Sequence, residues 1–517
     1  MPRTRKNVWK LTQPWDDTVL WYAKAVGELQ KRPISDLTSW ASLGAMHGFD
    51  PDLWTAFGYL TPTTPLPSST AQARFWKQCQ HQCWYFLPWH RGYLSAFEAI
   101  VLAAVVKLGG PADWALPYWN YSDGQDVNAL SLPTAFAAAT LPDGSANPLL
   151  VSRRYGDGTG NVVITPADVA LNALRETQFS GTGGGGSTGF GGPQTTFQHD
   201  GTDNGQLERQ PHNGVHGLVG GMIPNADPND PQSYGLMSMP DTAALDPIFW
   251  LHHANIDRLW EVWLKRSASD DNPTDTQWLN GPTDRTFAMP KPDGSGYDFA
   301  AADMLDTTKL DYVYDDTSDP LGNVDRLALR TKRLGLPSAT LASVREIPMA
   351  EQKPAELVGA NDSAVQISGG AVETQVKMDA GVSGKLRSSF SASSVAATAA
   401  KEPDRVFLNL ENIRGVNDSA VFYVYVNLPK DAKPEDNPDH LAGVVSLFGV
   451  RKATRSDSAH GGNGINESLE ITDVIDKLHL NNALDADHLN IRFVSRTAIK
   501  PGDGISVGRV SVYRQGQ

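Results

Sequence analysis

Histidine is the residue that most restricts this chain: twelve are present, and eight of them lie before residue 254, gathered into short motifs. His212-Asn-Gly-Val-His216 places two imidazoles at i and i+4, one turn apart on the same face of a helix. Two ligands of one metal require that separation. A second motif, Asp246-Pro-Ile-Phe-Trp-Leu-His252-His253-Ala-Asn-Ile-Asp257-Arg-Leu-Trp, puts Asp257 one turn beyond His253, where a carboxylate orients an imidazole or nearby backbone. His252 points roughly 100° away around the helix and is expected to hydrogen-bond rather than reach the same metal. In the third motif, Cys79-Gln-His81-Gln-Cys83-Trp-Tyr-Phe-Leu-Pro-Trp-His90, Pro88 interrupts the helical ladder, so His81 lies on a preceding turn and folds back toward His90. His47, in Gly-Ala-Met-His-Gly-Phe, is the remaining upstream candidate.

Taken singly, each histidine reads most simply as a surface or hydrogen-bonded core residue, and HxxxH pairs occur on many helices without a metal. Trp84, Phe86, Trp89, Phe249 and Trp250 are structural under either reading, since they fill a core and also exclude water from a metal pocket.

A length of 517 residues points to at least two domains. The formal charge of −14 is spread along the chain, which favours solubility and argues against a nucleic-acid surface. No stretch approaches a membrane span, and the first residues lack the apolar core of a secretion signal, so a cytoplasmic or otherwise soluble protein is expected. Two cysteines, Cys79 and Cys83, cannot form a disulfide framework. A helix is expected after an N-cap at Asp16 or Asp17, and another over Trp89 to Lys107 with Pro88 in its first turn. The glycine-rich run from Gly181 to Gly192 is expected to form a mobile loop. Beyond residue 402, Arg405-Val-Phe-Leu-Asn-Leu and four later alternating runs predict an all-β, sandwich-like domain. The expected organisation is a mainly α catalytic domain over residues 1–334, a linker with some short strands over 335–402, and a β domain over 403–517.

The motifs around His81–His90 and Asp246–Trp260, with Leu116-Pro-Tyr-Trp-Asn-Tyr between them, resemble the two signatures of type-3 copper proteins, the tyrosinase and polyphenol oxidase family. The resemblance runs from near Arg5 to about Leu334. It implies a four-helix bundle around two copper ions, with His47, His81 and His90 on the first and His212, His216 and His253 on the second; His252 is the non-ligand of its pair. Dioxygen and small phenols or diphenols are the implied partners, with no nucleic acid or membrane. Cys79, two residues before His81, matches fungal-type members in which a thioether joins the cysteine to the histidine ring, whereas the plant-type cysteine position holds Pro51.

Glu208, four residues before His212, and Asn213 resemble the family's water-holding pair, which takes the proton of a monophenol. They favour a tyrosinase that hydroxylates monophenols and oxidises ortho-diphenols over a catechol oxidase acting on diphenols alone. A reversible dioxygen carrier and a dizinc hydrolase are the other classes that suit such ligands. Met239 and Pro240 occupy the region that gates the first copper, without a bulky aromatic there. Asp311-Tyr312-Val-Tyr314 resembles a tyrosine motif whose partner is an N-terminal arginine, Arg3 or Arg5. The last domain resembles the β domain that covers the copper entrance in plant relatives, which implies a partly latent enzyme.

Overall fold

The computed structural model describes residues 1–322, 354–379 and 404–516, apart from 182, 198–201, 268–269, 458–460, 482 and 486. The expected boundary at 334, and most of the expected linker, lie outside the described residues.

The chain enters as a short strand, β1 (Arg3–Arg5), and then builds helices α1 (Asp17–Gln30), α2 (Trp40–His47), α3 (Pro51–Ala56), α4 (Ser69–Phe75), α5 (Phe86–Lys107), α6 (Gly214–Gly220), α7 (Ile248–Arg266) and α8 (Thr276–Asn280). Asp16 caps α1 by accepting from the Thr18 amide, as its position before the apolar run predicts. The longest helix, α5, begins at Phe86, so Pro88 falls in its first turn, where no backbone partner is lost. α5 packs against α1 and α7, and the contact is aromatic: Phe97 stacks on Trp250 with centroids 3.5 Å apart. Two small ladders complete this half, β2 (Phe287–Pro290) with β3 (Gly296–Phe299), and β1 in parallel with β4 (Tyr312–Tyr314).

The β1–β4 pairing ties the beginning of the helical region to its end. Arg5, not Arg3, is the partner of the tyrosine motif: it donates to the Tyr314 hydroxyl at 2.9 Å and lies 3.6 Å over the Tyr312 ring. Its guanidinium also pairs with Glu98 and Asp257, so a fully buried cation is matched by buried carboxylates.

The second half is a β domain, but not two facing sheets. Strands β5 (Glu356–Ala360), β6 (Val365–Gln366), β7 (Gly369–Met378), β8 (Arg405–Arg414), β9 (Val421–Val426), β10 (Leu441–Ser446), β11 (Ile465–Glu470), β12 (His488–Ile499) and β13 (Ser506–Gln515) form one sheet in the order β10-β9-β12-β7-β5-β13-β8-β11, with β6 also on β13. Register shifts within β12 and β13 bend the sheet, and its end strands β10 and β11 come into contact, so it curls toward a closed barrel instead of splitting into a sandwich. β5 to β7 fall in the stretch read from sequence as linker with short strands, and they are integral to this sheet. Two short helices, α9 (Val450–Thr454) and α10 (Thr472–Leu480), complete the domain. Among the described residues, no helix is long and apolar enough to cross a membrane.

The glycine-rich run is not a free loop. Gly181 and 183–192 are described, and Ser187 is fully buried: its amide donates to Gln515 Oε1 at 3.3 Å and its hydroxyl to Glu176 at 2.9 Å. A Cβ at Gly192 would meet the Cys83 carbonyl at 2.7 Å, and Gly192 has φ +116°. Here glycine serves close backbone approach rather than flexibility.

Candidate metal centre

Five short segments converge between the helices. His47 ends α2; His81 lies in the bend before α5; His90 sits one turn into α5; His212 and His216 span the entry to α6; and His252 and His253 lie on α7. The residues before α6, Glu208–Asn213, form a wide π-type turn in which Gln210 leaves helical geometry at φ −151° and ψ 124°. Such turns re-aim side chains that a regular helix would leave apart.

His47, Cys79, His81 and His90 form one group and His212, His216, His252 and His253 another, each with ligand atoms within 4.8 Å of one another. The groups face each other: His90 stacks on His253 at 4.5 Å between centroids, and His81 lies 5.8 Å from His212. Phe86 and Phe249 pack among the rings, 4.6 Å from His90 and 4.1 Å from His253, and help keep the centre dry.

Backbone and side-chain acceptors orient four of the imidazoles. Nδ1 contacts the Pro240 carbonyl in His47 (2.8 Å), the Phe86 carbonyl in His90 (2.7 Å), Asn213 Oδ1 in His212 (2.8 Å) and the Met237 carbonyl in His216 (3.0 Å). Each acceptor holds the proton on Nδ1 and leaves Nε2 as a lone pair. Burial pushes His90, His216, His252 and His253 well below the usual imidazole range, neighbouring histidines adding to it, and it takes His212 down to about 3. The rings are therefore neutral donors.

This donor set fits copper. His216 Nε2 lies 3.1 Å from His212 Nε2, so two lone pairs face one another unless a cation lies between them, and His253 Nε2 is 3.4 Å from His216 Nε2. Neutral imidazoles in threes are the ligands that borderline metals such as copper take.

Other predicted residues take the following places. Cys79 Sγ is 3.4 Å from His81 Nδ1 and 3.7 Å from Nε2, beside the carbon between them, and 3.3 Å from His90 Nε2. Glu208 is buried, and both its oxygens accept from the Gln82 amide, at 2.9 and 2.8 Å. Burial pushes its carboxyl well above the usual range, although the Gln82 and Gly205 amides pull the other way. Pro240 lines the cleft over the centre together with His81, Glu208, Asn213, Phe448 and Gly449. Met239 turns aside into a small core with Leu53 and Tyr234.

Two expectations need correction. Asp257 does not turn to an imidazole: it accepts from Arg91 Nε at 2.5 Å, Tyr312 at 2.6 Å, Tyr314 at 2.5 Å and Arg5 at 3.3 Å. Burial pushes this carboxyl up, but Arg91 and Arg5 hold it below its usual range, because two guanidinium groups outbid a neutral ring for a buried anion. His252 is nearer the cluster than its rotation around α7 implies: its ring lies 5.3 Å from that of His212 and 5.0 Å from that of His216. Its Nδ1 is 3.1 Å from the Tyr121 hydroxyl, the hydrogen-bonding role expected of it.

Phe448, which sequence reasoning did not single out, comes from the β domain and stacks on His216, centroids 4.2 Å apart and planes at 17°. It also lies 6.0 Å from both His81 and His212. No local signal marks it; it follows β10 in a strand-to-helix turn.

Residues 37–266 match the family described as the common central domain of tyrosinase, and residues 354–515 match a domain family of unknown function. A tyrosinase from Hahella sp. (strain CCB-MM4) is 33% identical over 99% of this chain and 99% of its own length. A chloroplastic polyphenol oxidase from Malus domestica is 29% identical over 70% of this chain, which spans 57% of that relative's length. The solved structure of latent apple tyrosinase shares the fold with a TM-score of 0.59 at 19% identity, covering 99% of this chain and 97% of the other.

Proposed function

Because the chain belongs to the tyrosinase family of type-3 copper oxidoreductases, we propose that it hydroxylates monophenols at the ortho position and oxidises ortho-diphenols to ortho-quinones. In this reading helices α2, α5, α6 and α7 form the bundle around the centre, His47, His81 and His90 hold one copper, and His212, His216 and His253 hold the other. Copper supplies the redox exchange between dioxygen and the phenol.

The protein's share is placement and proton transfer. A diphenol needs only access and electron delivery. A monophenol must also lose its hydroxyl proton beside the second histidine group. Glu208 and Asn213 both line the cleft there, and this observation carries the reading. Asn213 spends its Oδ1 on His212, which leaves its amide nitrogen to hold a water, and the buried Glu208 carboxylate, with its raised proton affinity, draws a proton through that water. Glu208→Gln is expected to lower monophenol turnover about 100-fold, within the range of a positioned base, and diphenol turnover by about twofold or less. Equal losses would leave a catechol oxidase with a structural glutamate.

Cys79 sits where a thioether to His81 closes with little movement, and the bond would fix that ring for copper. The chain is read as latent: Phe448 lines the cleft and stacks on His216, where it narrows the approach of a phenol, and Pro240 presents no bulk of its own.

A further inference from the structure

We propose that the β domain positions the Glu208–Asn213 pair while it covers the centre, so that the element blocking substrate also completes the monophenol site. The proposal rests on the proton-transfer reading of that pair. A cover needs only Phe448. The contacts around it go further, and they converge on the segment that carries Glu208 and Asn213.

Ser446, buried at the end of β10 and two residues before Phe448, donates its hydroxyl to the Asn213 carbonyl at 2.8 Å. The approach is close enough that a Cβ on Gly217 would lie 3.0 Å from the same hydroxyl. On the other side, residues 202–206 run along the edge of β11. Asp203 bridges Asn466 in parallel, and the Asn466 amide donates to the Thr202 carbonyl at 2.8 Å. Gln206 Nε2 donates to the Ser468 carbonyl at 3.2 Å, and Asn204 Nδ2 to Glu467 at 2.8 Å. Arg209, next to Glu208, donates to the Val444 carbonyl at 3.3 Å. Glu208 is thus held between a strand extension that ends two residues before it and an arginine anchored to β10, and Asn213 hangs from Ser446. A water shared by two side chains is held well only if both backbones are fixed, so these contacts set the geometry of proton removal. Ser446 acts as a positioning residue, through the backbone of Asn213.

The test uses the full-length copper-loaded chain opened by Phe448→Ala, alone and combined with Ser446→Ala. The added change is expected to lower monophenol kcat about fivefold, leave its KM in place and change diphenol kcat by less than about twofold, as a small displacement of a catalytic group does. In the copper-free forms of the same proteins, amide hydrogen exchange in α6 and the turn before it should quicken with Ser446→Ala, while that around His47 and His90 stays unchanged. Parallel losses on both substrates, or no loss together with unchanged exchange, would overturn the proposal. Glu208→Gln in the same opened background separates the two readings. If it fails to select against monophenol, the base role falls, and faster exchange with Ser446→Ala would then mark the β domain as a scaffold without a part in proton transfer, which also overturns the proposal.

Discussion

The two histidine groups look alike in composition but differ in what holds them. His47 and His90 rest on the Pro240 and Phe86 carbonyls, and His81 on Cys79, all within the helical half of the molecule. His212 and His216 lie on a turn and helix held by the β domain: Ser446 donates to the Asn213 carbonyl, Arg209 of the turn donates to the Val444 carbonyl, and Phe448 stacks on the His216 ring. The first histidine group is thus oriented within its own domain, whereas the second is held partly by another. Phe448 reaches both groups, 6.0 Å from His81 and from His212, but the backbone contacts from the β domain fall on the second alone.

The largest effects break the comparison outright. His47→Ala and His216→Ala should each leave about one copper per chain and cut phenol oxidation by roughly 1000-fold or more, since the chemistry needs both metals. Metal analysis beside an oxidase assay checks this, and loss of both coppers from either variant would mean that the groups do not fill independently. Phe448→Ala sharpens the comparison from the other side. Turnover in the intact chain should rise roughly 10- to 100-fold, the inverse of the open fraction when docking is favoured by about 1.4 to 3 kcal/mol. Unchanged turnover would show that the ring does not obstruct substrate.

Cys79→Ala should weaken copper at the first group about tenfold and spare the second, the usual cost of losing a group that orients a ligand. Intact mass of the reduced parent should show a deficit of about 2 Da, the two hydrogens lost to a thioether. An undiminished mass means a free thiol.

The smallest effect concerns the interface. Glu467 is buried beneath the strand extension, and burial raises its carboxyl to about 7, with Arg209 and Asn204 pulling it down. Its folded value exceeds the ordinary one, so its favourable, protonated contribution is complete below about 4.5, is lost as pH rises to about 7, and stays lost above. Glu467→Gln should therefore raise Tm by on the order of 3 °C at pH 8 and leave it unchanged near pH 4.5. A pH-independent difference would assign the effect to packing.

How much of this was legible in the sequence depended on range. The i, i+4 spacing of His212 and His216 is a local consequence of helix geometry, and the return of His81 toward His90 was expected too, but its bend precedes α5 at Gln82, φ +56°, and does not come from Pro88, which sits in the unbroken first turn; both motifs carry a family resemblance besides. The same spacing misled at Asp257, because distant Arg5 and Arg91 claim its carboxylate. Alternation in Val421–Val426 reveals a strand but not its neighbours, so one curled sheet was read as a sandwich. Glycines near 189 and 192 signalled flexibility by composition, whereas their cause is a backbone approach from Cys83 and Gly181 that only the fold reveals. Phe448 had no signal at all, since its partner lies more than two hundred residues away along the chain.

Anomalous diffraction at the copper edge, from crystals of the intact copper-loaded chain, tests the central claim most directly. Two peaks are predicted, one among His47, His81 and His90 and one among His212, His216 and His253, about 3.5–4 Å apart, as for metals that act on one bound molecule. A single peak, or two too far apart to share a dioxygen, would contradict it.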